Sequence, residues 1–99
     1  MKLAAHPFKD GSGSIQYWFF CPGCENHHAY TVPRWTFNGD MERPTFTPSL
    51  LCNADHIPSR CHLFMTDGKI QFLSDCHHKL AGQTVEMEDC EEWMEYNEG

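Results

Sequence analysis

A small, mainly β fold assembled from hairpins is what this sequence predicts, and three features predict it. The run Ile15-Gln16-Tyr17-Trp18-Phe19-Phe20 is rich in aromatic and β-branched residues, as strands are, and it leads directly into Cys21-Pro22-Gly23-Cys24. Two short apolar-alternating runs flank Asp67-Gly68, the residue pair that suits a type I′ hairpin turn. Prolines at 33, 44 and 48 interrupt the middle of the chain and deny it a helix.

The remaining elements follow in order. The loop Asp10-Gly11-Ser12-Gly13-Ser14 precedes the first strand, and His28-Ala29-Tyr30-Thr31-Val32 reads as its return strand, stopped by Pro33. Arg34-Trp35-Thr36-Phe37 reads as a third strand, stopped by the turn pair Asn38-Gly39. Arg43-Pro44-Thr45-Phe46-Thr47-Pro48-Ser49 is expected to cross in an extended conformation, and Leu50-Leu51-Cys52 to be a buried strand. In the hairpin around Asp67-Gly68 a two-residue loop sets Thr66 opposite Lys69, Met65 opposite Ile70, Leu63 opposite Phe72 and Cys61 opposite Ser74. Leu63, Met65, Ile70 and Phe72 then share an apolar face with Cys61 and Cys76, while His62, Leu73 and Asp75 point to the other face. A one-residue slip would reverse all of these assignments.

A chain of 99 residues makes one domain whose apolar burial alone leaves it marginal, so a further tie is expected. A hydrophobic content of 40% is too high for disorder, and mean hydropathy of -0.55 with no long apolar run excludes a membrane span. Met1 to Phe8 holds no apolar stretch long enough for a signal peptide, which points to the cytoplasm. In that reducing compartment six cysteines beside seven histidines indicate metal binding or redox chemistry ahead of a disulfide framework. The net charge of -7, with seven scattered basic residues, argues against a nucleic-acid surface and leaves a protein as the expected partner.

Cys21-Pro22-Gly23-Cys24 has the form of a zinc knuckle, since two thiolates at this spacing chelate one ion and Pro and Gly let the backbone turn beneath it. A redox dithiol is the rival, but it wants its first Cys at a helix N-terminus, and the residues after Cys24 look like a return strand. A structural site needs four ligands. The downstream candidates are Cys61, His62, Cys76, His77 and His78. Adjacent strand residues face opposite ways, so Cys61 and His62 should not share an ion, and their common face favours Cys61 with Cys76. His78 could replace either, and His77 reads as a solvated surface group. The fold class is therefore a small zinc-ribbon-like β-hairpin assembly.

Cys52 reads as core, and His6, His27 and His56 have no partner spacing that singles them out. Half of the fourteen acidic residues fall between 86 and 99, a stretch without Lys or Arg. Met87, Cys90 and Met94 recur there at helical spacing beside Trp93, predicting a zinc-binding β domain over 1–85 followed by a short acidic C-terminal helix or tail over 86–99.

Cys21-Pro22-Gly23-Cys24, Trp35-Thr36-Phe37-Asn38-Gly39, Arg43 to Leu50, Cys61-His62-x-Phe64, Asp67-Gly68-x-Ile70-Gln71-Phe72-Leu73 and Asp75-Cys76-x-His78 to Val85, in this order, resemble an uncharacterised family of small phage and prophage proteins. Some members have carried an automatic label of ammonia monooxygenase, for which this chain offers no intact copper or di-iron ligand set. The resemblance implies a zinc-binding, virus-associated protein in the host cytoplasm, with His78 in place of His77 among the ligand candidates. The functional expectation is a protein-interaction module with mainly structural zinc. The alternative is a zinc hydrolase in which His28, His62, Asp75 or His78 stands beside metal-bound water.

Overall fold

The structure, a computed structural model, describes residues 2–89. Strands β1 (Ala4–Pro7), β2 (Ile15–Cys21) and β3 (Asn26–Val32) form one antiparallel sheet in that order. Strands β4 (Thr36–Phe37), β5 (Phe46–Cys52), β6 (Cys61–Thr66), β7 (Lys69–Phe72) and β8 (Thr84–Glu86) form a second, again in chain order. A short 3₁₀ turn at Ile57–Ser59 is the sole helical element among the described residues, none of which belong to a helix long and apolar enough to cross a membrane.

The expected β6–β7 hairpin is present in the expected register, with Thr66 opposite Lys69, Met65 opposite Ile70 and Leu63 opposite Phe72. Asp67 and Gly68 both adopt positive φ, of 52° and 77°, as a type I′ turn requires. The segment before β5 clamps this turn: Arg43 forms a paired contact with the Asp67 carboxylate (3.0 and 3.1 Å), Thr45 Oγ1 accepts from Asp67 N (2.8 Å), and Gly68 N donates to the Pro44 carbonyl (3.0 Å). Two strands escaped the sequence reading. Ala4 to Pro7 has little strand propensity of its own and is recruited by pairing with residues 15 to 18 of β2, where an edge position tolerates Pro7. Thr84–Glu86 is too short to read in isolation and is held by β7.

The two sheets meet over aromatic rings. Tyr30 of the first sheet stacks on Phe46 of the second at 4.1 Å and 2°, Phe46 stacks on Phe37 at 4.5 Å, and Tyr17 meets Phe37 at 4.7 Å. Such ring pairs contribute roughly 0.5–1.5 kcal/mol each beyond their buried area. Leu63, Met65, Ile70 and Phe72 are buried beneath them, the apolar face that the hairpin register predicts.

The expected C-terminal helix is not supported. Its first residue, Glu86, ends β8 opposite Lys69; Met87 is buried and donates its N–H to the Gly68 carbonyl. Pairing of Val85 with Ile70 at the sheet edge outweighs the helical spacing there, so residues 86 and 87 continue the β domain across the expected boundary. Cys90, Trp93 and Met94, which carried the rest of that expectation, lie outside the described residues.

A Cβ on Gly68 would stand 3.2 Å from Arg43 Cα and 3.3 Å from the Glu42 carbonyl oxygen at a φ unfavourable for L residues. Gly68→Ala is therefore expected to destabilise the chain by about 1–2 kcal/mol. Urea denaturation, with the m-value unchanged, checks this.

Candidate functional site

Alternation along β6 organises two different sets of side chains. Cys61, Leu63 and Met65 point inward and are buried, whereas His62 and Phe64 point to the outer face. Past the end of β7, Asp75 and Cys76 are divided in the same way: Cys76 is buried and Asp75 exposed.

On the inner side, Cys21, Cys24, His28 and Cys61 bring three sulfurs and one imidazole nitrogen within 4.8 Å of one another. Cys21 ends β2, Cys24 lies in the β2–β3 turn, and His28 faces Phe19 across that hairpin, so the first sheet supplies three of these groups and β6 of the second supplies Cys61. The Cys21 and Cys61 sulfurs are 3.8 Å apart, and Cys24 N donates to Cys21 Sγ at 3.5 Å, the turn expected of a knuckle. Cys61 also belongs to a second group with Cys76 and His78, and its sulfur lies 3.6 Å from His78 Nε2. Gly23 is required here for packing: a Cβ on it would overlap the His78 ring. A cavity of about 190 Å³, lined by Cys24, Arg60, His77 and His78 among others, opens beside the cluster.

Crowding in the first group lowers one thiol and raises the other three groups. The hydrogen bond from Cys61 pulls the Cys21 thiol down to about 4 against the burial that opposes it, with His28 adding to the effect. The same shared bond and burial push Cys61 up, and burial raises Cys24. Burial disfavours a charged His28, but contacts with Cys21, Cys52 and Cys24 outweigh it and raise the imidazole to about 11. Nε2 of His28 is buried and finds no hydrogen-bond partner of ordinary geometry. A buried nitrogen aimed among thiols fits a soft divalent metal, because the ion replaces the protons and satisfies the orphaned donor atom. His78 is placed differently: Leu80 N donates to its Nδ1 at 3.2 Å, which leaves the proton of a neutral ring on Nε2, facing the Cys61 sulfur.

On the outer side stands a second constellation. Nε2 of His62 is 3.1 Å from Ser49 Oγ, and Nδ1 of the same ring is 3.2 Å from Asp75 Oδ2. Ser49 reaches this position because β5 carries an irregularity: Phe46 pairs with Met65 and Leu50 with Leu63, so residues 47–49 stand opposite Phe64 alone. Such a bulge re-aims a side chain locally. The Trp35 indole N–H fixes the bulge by donating to the Ser49 carbonyl at 3.3 Å. Side-chain exposures of 24% for His62 and 43% for Asp75 make their contact a weak stabiliser, so its consequence is orientation of the ring.

Of the ligand candidates read from the sequence, Cys21, Cys24 and Cys61 come together; Cys76 and His78 gather around Cys61 in the second group; and His62 stands on the other face, in neither group. His28 was absent from that ligand set, although its position two residues from Asn26 in the strand paired with Cys21 sets it on the cluster side. Ser49 was also absent, and the signal that finds it is the strand irregularity, which no local pattern announces.

A family model described as "Bacterial ubiquitination-like system serine protease (BubE)" matches residues 5–73, and the chain belongs to this family. No curated protein and no solved structure matches the chain.

Because Gly23 leaves room for the His78 ring, Gly23→Ala is expected to destabilise by about 1–3 kcal/mol through overpacking. In a His78→Ala background most of that cost should vanish. A double-mutant cycle on thermal melts checks the coupling.

Proposed function

With membership of that family as the premise, we propose that the protein is a serine hydrolase that cleaves peptide or isopeptide bonds of protein substrates in a bacterial ubiquitination-like system. One observation carries the reading: a single imidazole, that of His62, joins Ser49 Oγ at 3.1 Å to Asp75 Oδ2 at 3.2 Å. Nucleophile, base and orienting carboxylate within hydrogen-bond reach are the geometric signature of acyl transfer through serine, whatever their order in the chain.

In this reading Asp75 accepts the Nδ1 proton of His62 and so keeps the Nε2 lone pair directed at Ser49. His62 takes the Ser49 proton as Oγ attacks the substrate carbonyl, and then delivers it to the leaving amine as the C–N bond breaks. Water, activated by the same ring, hydrolyses the acyl-Ser49 ester and restores the free hydroxyl.

Zinc has a structural role in the same proposal. Cys21, Cys24, His28 and Cys61 would hold it with four protein donors drawn from both sheets, the number a structural site uses. A zinc hydrolase using His62 is the weaker alternative, since that ring is engaged by Ser49 and Asp75 on the opposite face of β6. The net charge of -7 favours protein over nucleic-acid substrates. A cytoplasmic setting and the phage or prophage origin implied by the motif resemblance are part of the proposal, and the family's description mentions neither.

Ser49→Ala and His62→Ala are each expected to lower kcat/KM by roughly 10⁴-fold or more, and their combination by little beyond either alone. Asp75→Asn should cost less than either. A fluorophosphonate probe should phosphonylate the native chain on Ser49 alone; equal labelling of Ser49→Ala contradicts the assignment.

The purified chain is also expected to carry one zinc ion per molecule, with sulfur-dominated coordination at the zinc absorption edge. A water ligand in that coordination sphere would favour the hydrolytic metal instead.

A further inference from the structure

The candidate triad and the sulfur cluster are not independent features. His62 follows Cys61 directly, and Asp75 directly precedes Cys76, so each outward group of the triad is one peptide away from an inward sulfur. Cys76 is 7% exposed and holds the His62 peptide from behind on both sides: its sulfur accepts from His62 N at 3.2 Å and its thiol donates to the His62 carbonyl at 3.0 Å. The same carbonyl accepts from Leu73 N at 2.9 Å, and His77 N donates to the Arg60 carbonyl at 2.9 Å. The segment carrying Asp75 is thereby tied to β6 on either side of the triad histidine.

We infer that this sulfur layer, Cys76 above all, is the positioning device of the candidate triad: it fixes the main chain of His62 relative to Asp75 from the opposite face of the sheet. The inference rests on reading Ser49, His62 and Asp75 as catalytic. Cys76 touches none of the reacting atoms. The geometry has a physical reason. Past Phe72 the β6–β7 pairing ends, with the Leu73 N–H to the His62 carbonyl as a last main-chain bond, and strand pairing does not fix residues 75 and 76 against His62; a sulfur that both accepts from and donates to the His62 peptide ties that segment to it. Hydroxyl has the same dual capacity, whereas a methyl group or an isopropyl group has neither. Cys61 reinforces the anchor, because its sulfur, packed 3.8 Å from that of Cys21 and available to a metal there, fixes the residue immediately before His62.

The test compares zinc-loaded native chain with Cys76→Ala, Cys76→Ser and Cys76→Val. Two quantities are read: the rate of Ser49 phosphonylation by a fluorophosphonate, and the downfield proton resonance of the His62 Nδ1–H bonded to Asp75. The inference expects Cys76→Ala to react about 10- to 100-fold more slowly with its circular dichroism unchanged. It expects the downfield resonance to be lost with it, and both readouts to recover in Cys76→Ser. Cys76→Val fills the site without a polar atom and should behave as Cys76→Ala, which preserves the comparison if the alanine chain fails to fold. A native reaction rate and an intact resonance in either apolar variant would overturn the inference. If the native chain itself does not react, the catalytic reading fails separately. The resonance then decides the positioning role, supported by its loss in the apolar variants and refuted by its persistence.

Discussion

Side-chain alternation along β6 is the constraint on which the rest of the structure depends. A pleated strand sends neighbours to opposite faces, so Cys61 and His62 are committed to different environments by a single peptide bond. The inward face meets the first sheet and its knuckle; the outward face meets the Ser49 bulge and Asp75. Slippage of β6 by one residue would put the imidazole into the cluster and the thiol on the surface, destroying both constellations together. The register is therefore pinned heavily: by the Asp67-Gly68 turn, by the Arg43, Pro44 and Thr45 contacts around it, and by four apolar residues buried on one face.

Two clusters of side chains stand out where the sheets meet. The rings of Tyr17, Tyr30, Phe37 and Phe46 form a continuous stack at one end of the interface. At the other, the Cys21, Cys24, His28 and Cys61 donors converge from both sheets. Small domains commonly need such a tie because the fraction of surface that they bury is low. A metal held by these donors would contribute to folding directly, as they are brought together only in the folded chain. Strand β6 carries, on its other face, the Ser49, His62 and Asp75 contacts.

Much of this was legible in the sequence. The Cys21-Pro22-Gly23-Cys24 knuckle, the strand leading into it and the return strand all follow from local composition, and the β6–β7 register follows from one turn pair and period-two patterning. The division of Cys61 from His62 and of Cys76 from Asp75 follows from that register. What local pattern does not carry is tertiary. Ser49 sits in an ordinary Thr-Pro-Ser run, and the interruption of pairing with β6 at residues 47–49 turns it toward His62. The metal expectation drew attention to His62 as a ligand, and the same chemical versatility of imidazole suits the base proposed above. The spacing of Met87, Cys90 and Met94 suggested a helix, yet Glu86 and Met87 join the sheet, because edge pairing to β7 is a tertiary contact that overrides local periodicity.

The central claim is that one strand holds a structural metal on its inner face and a serine nucleophile's base on its outer face. Anomalous diffraction at the zinc edge from crystals of the zinc-loaded protein measures both at once. The account predicts a peak bonded to Cys61 on the inner side, with His62 outside coordination distance and bonded to Ser49 and Asp75. A peak bonded to His62, with Ser49 turned away from the ring, would contradict it.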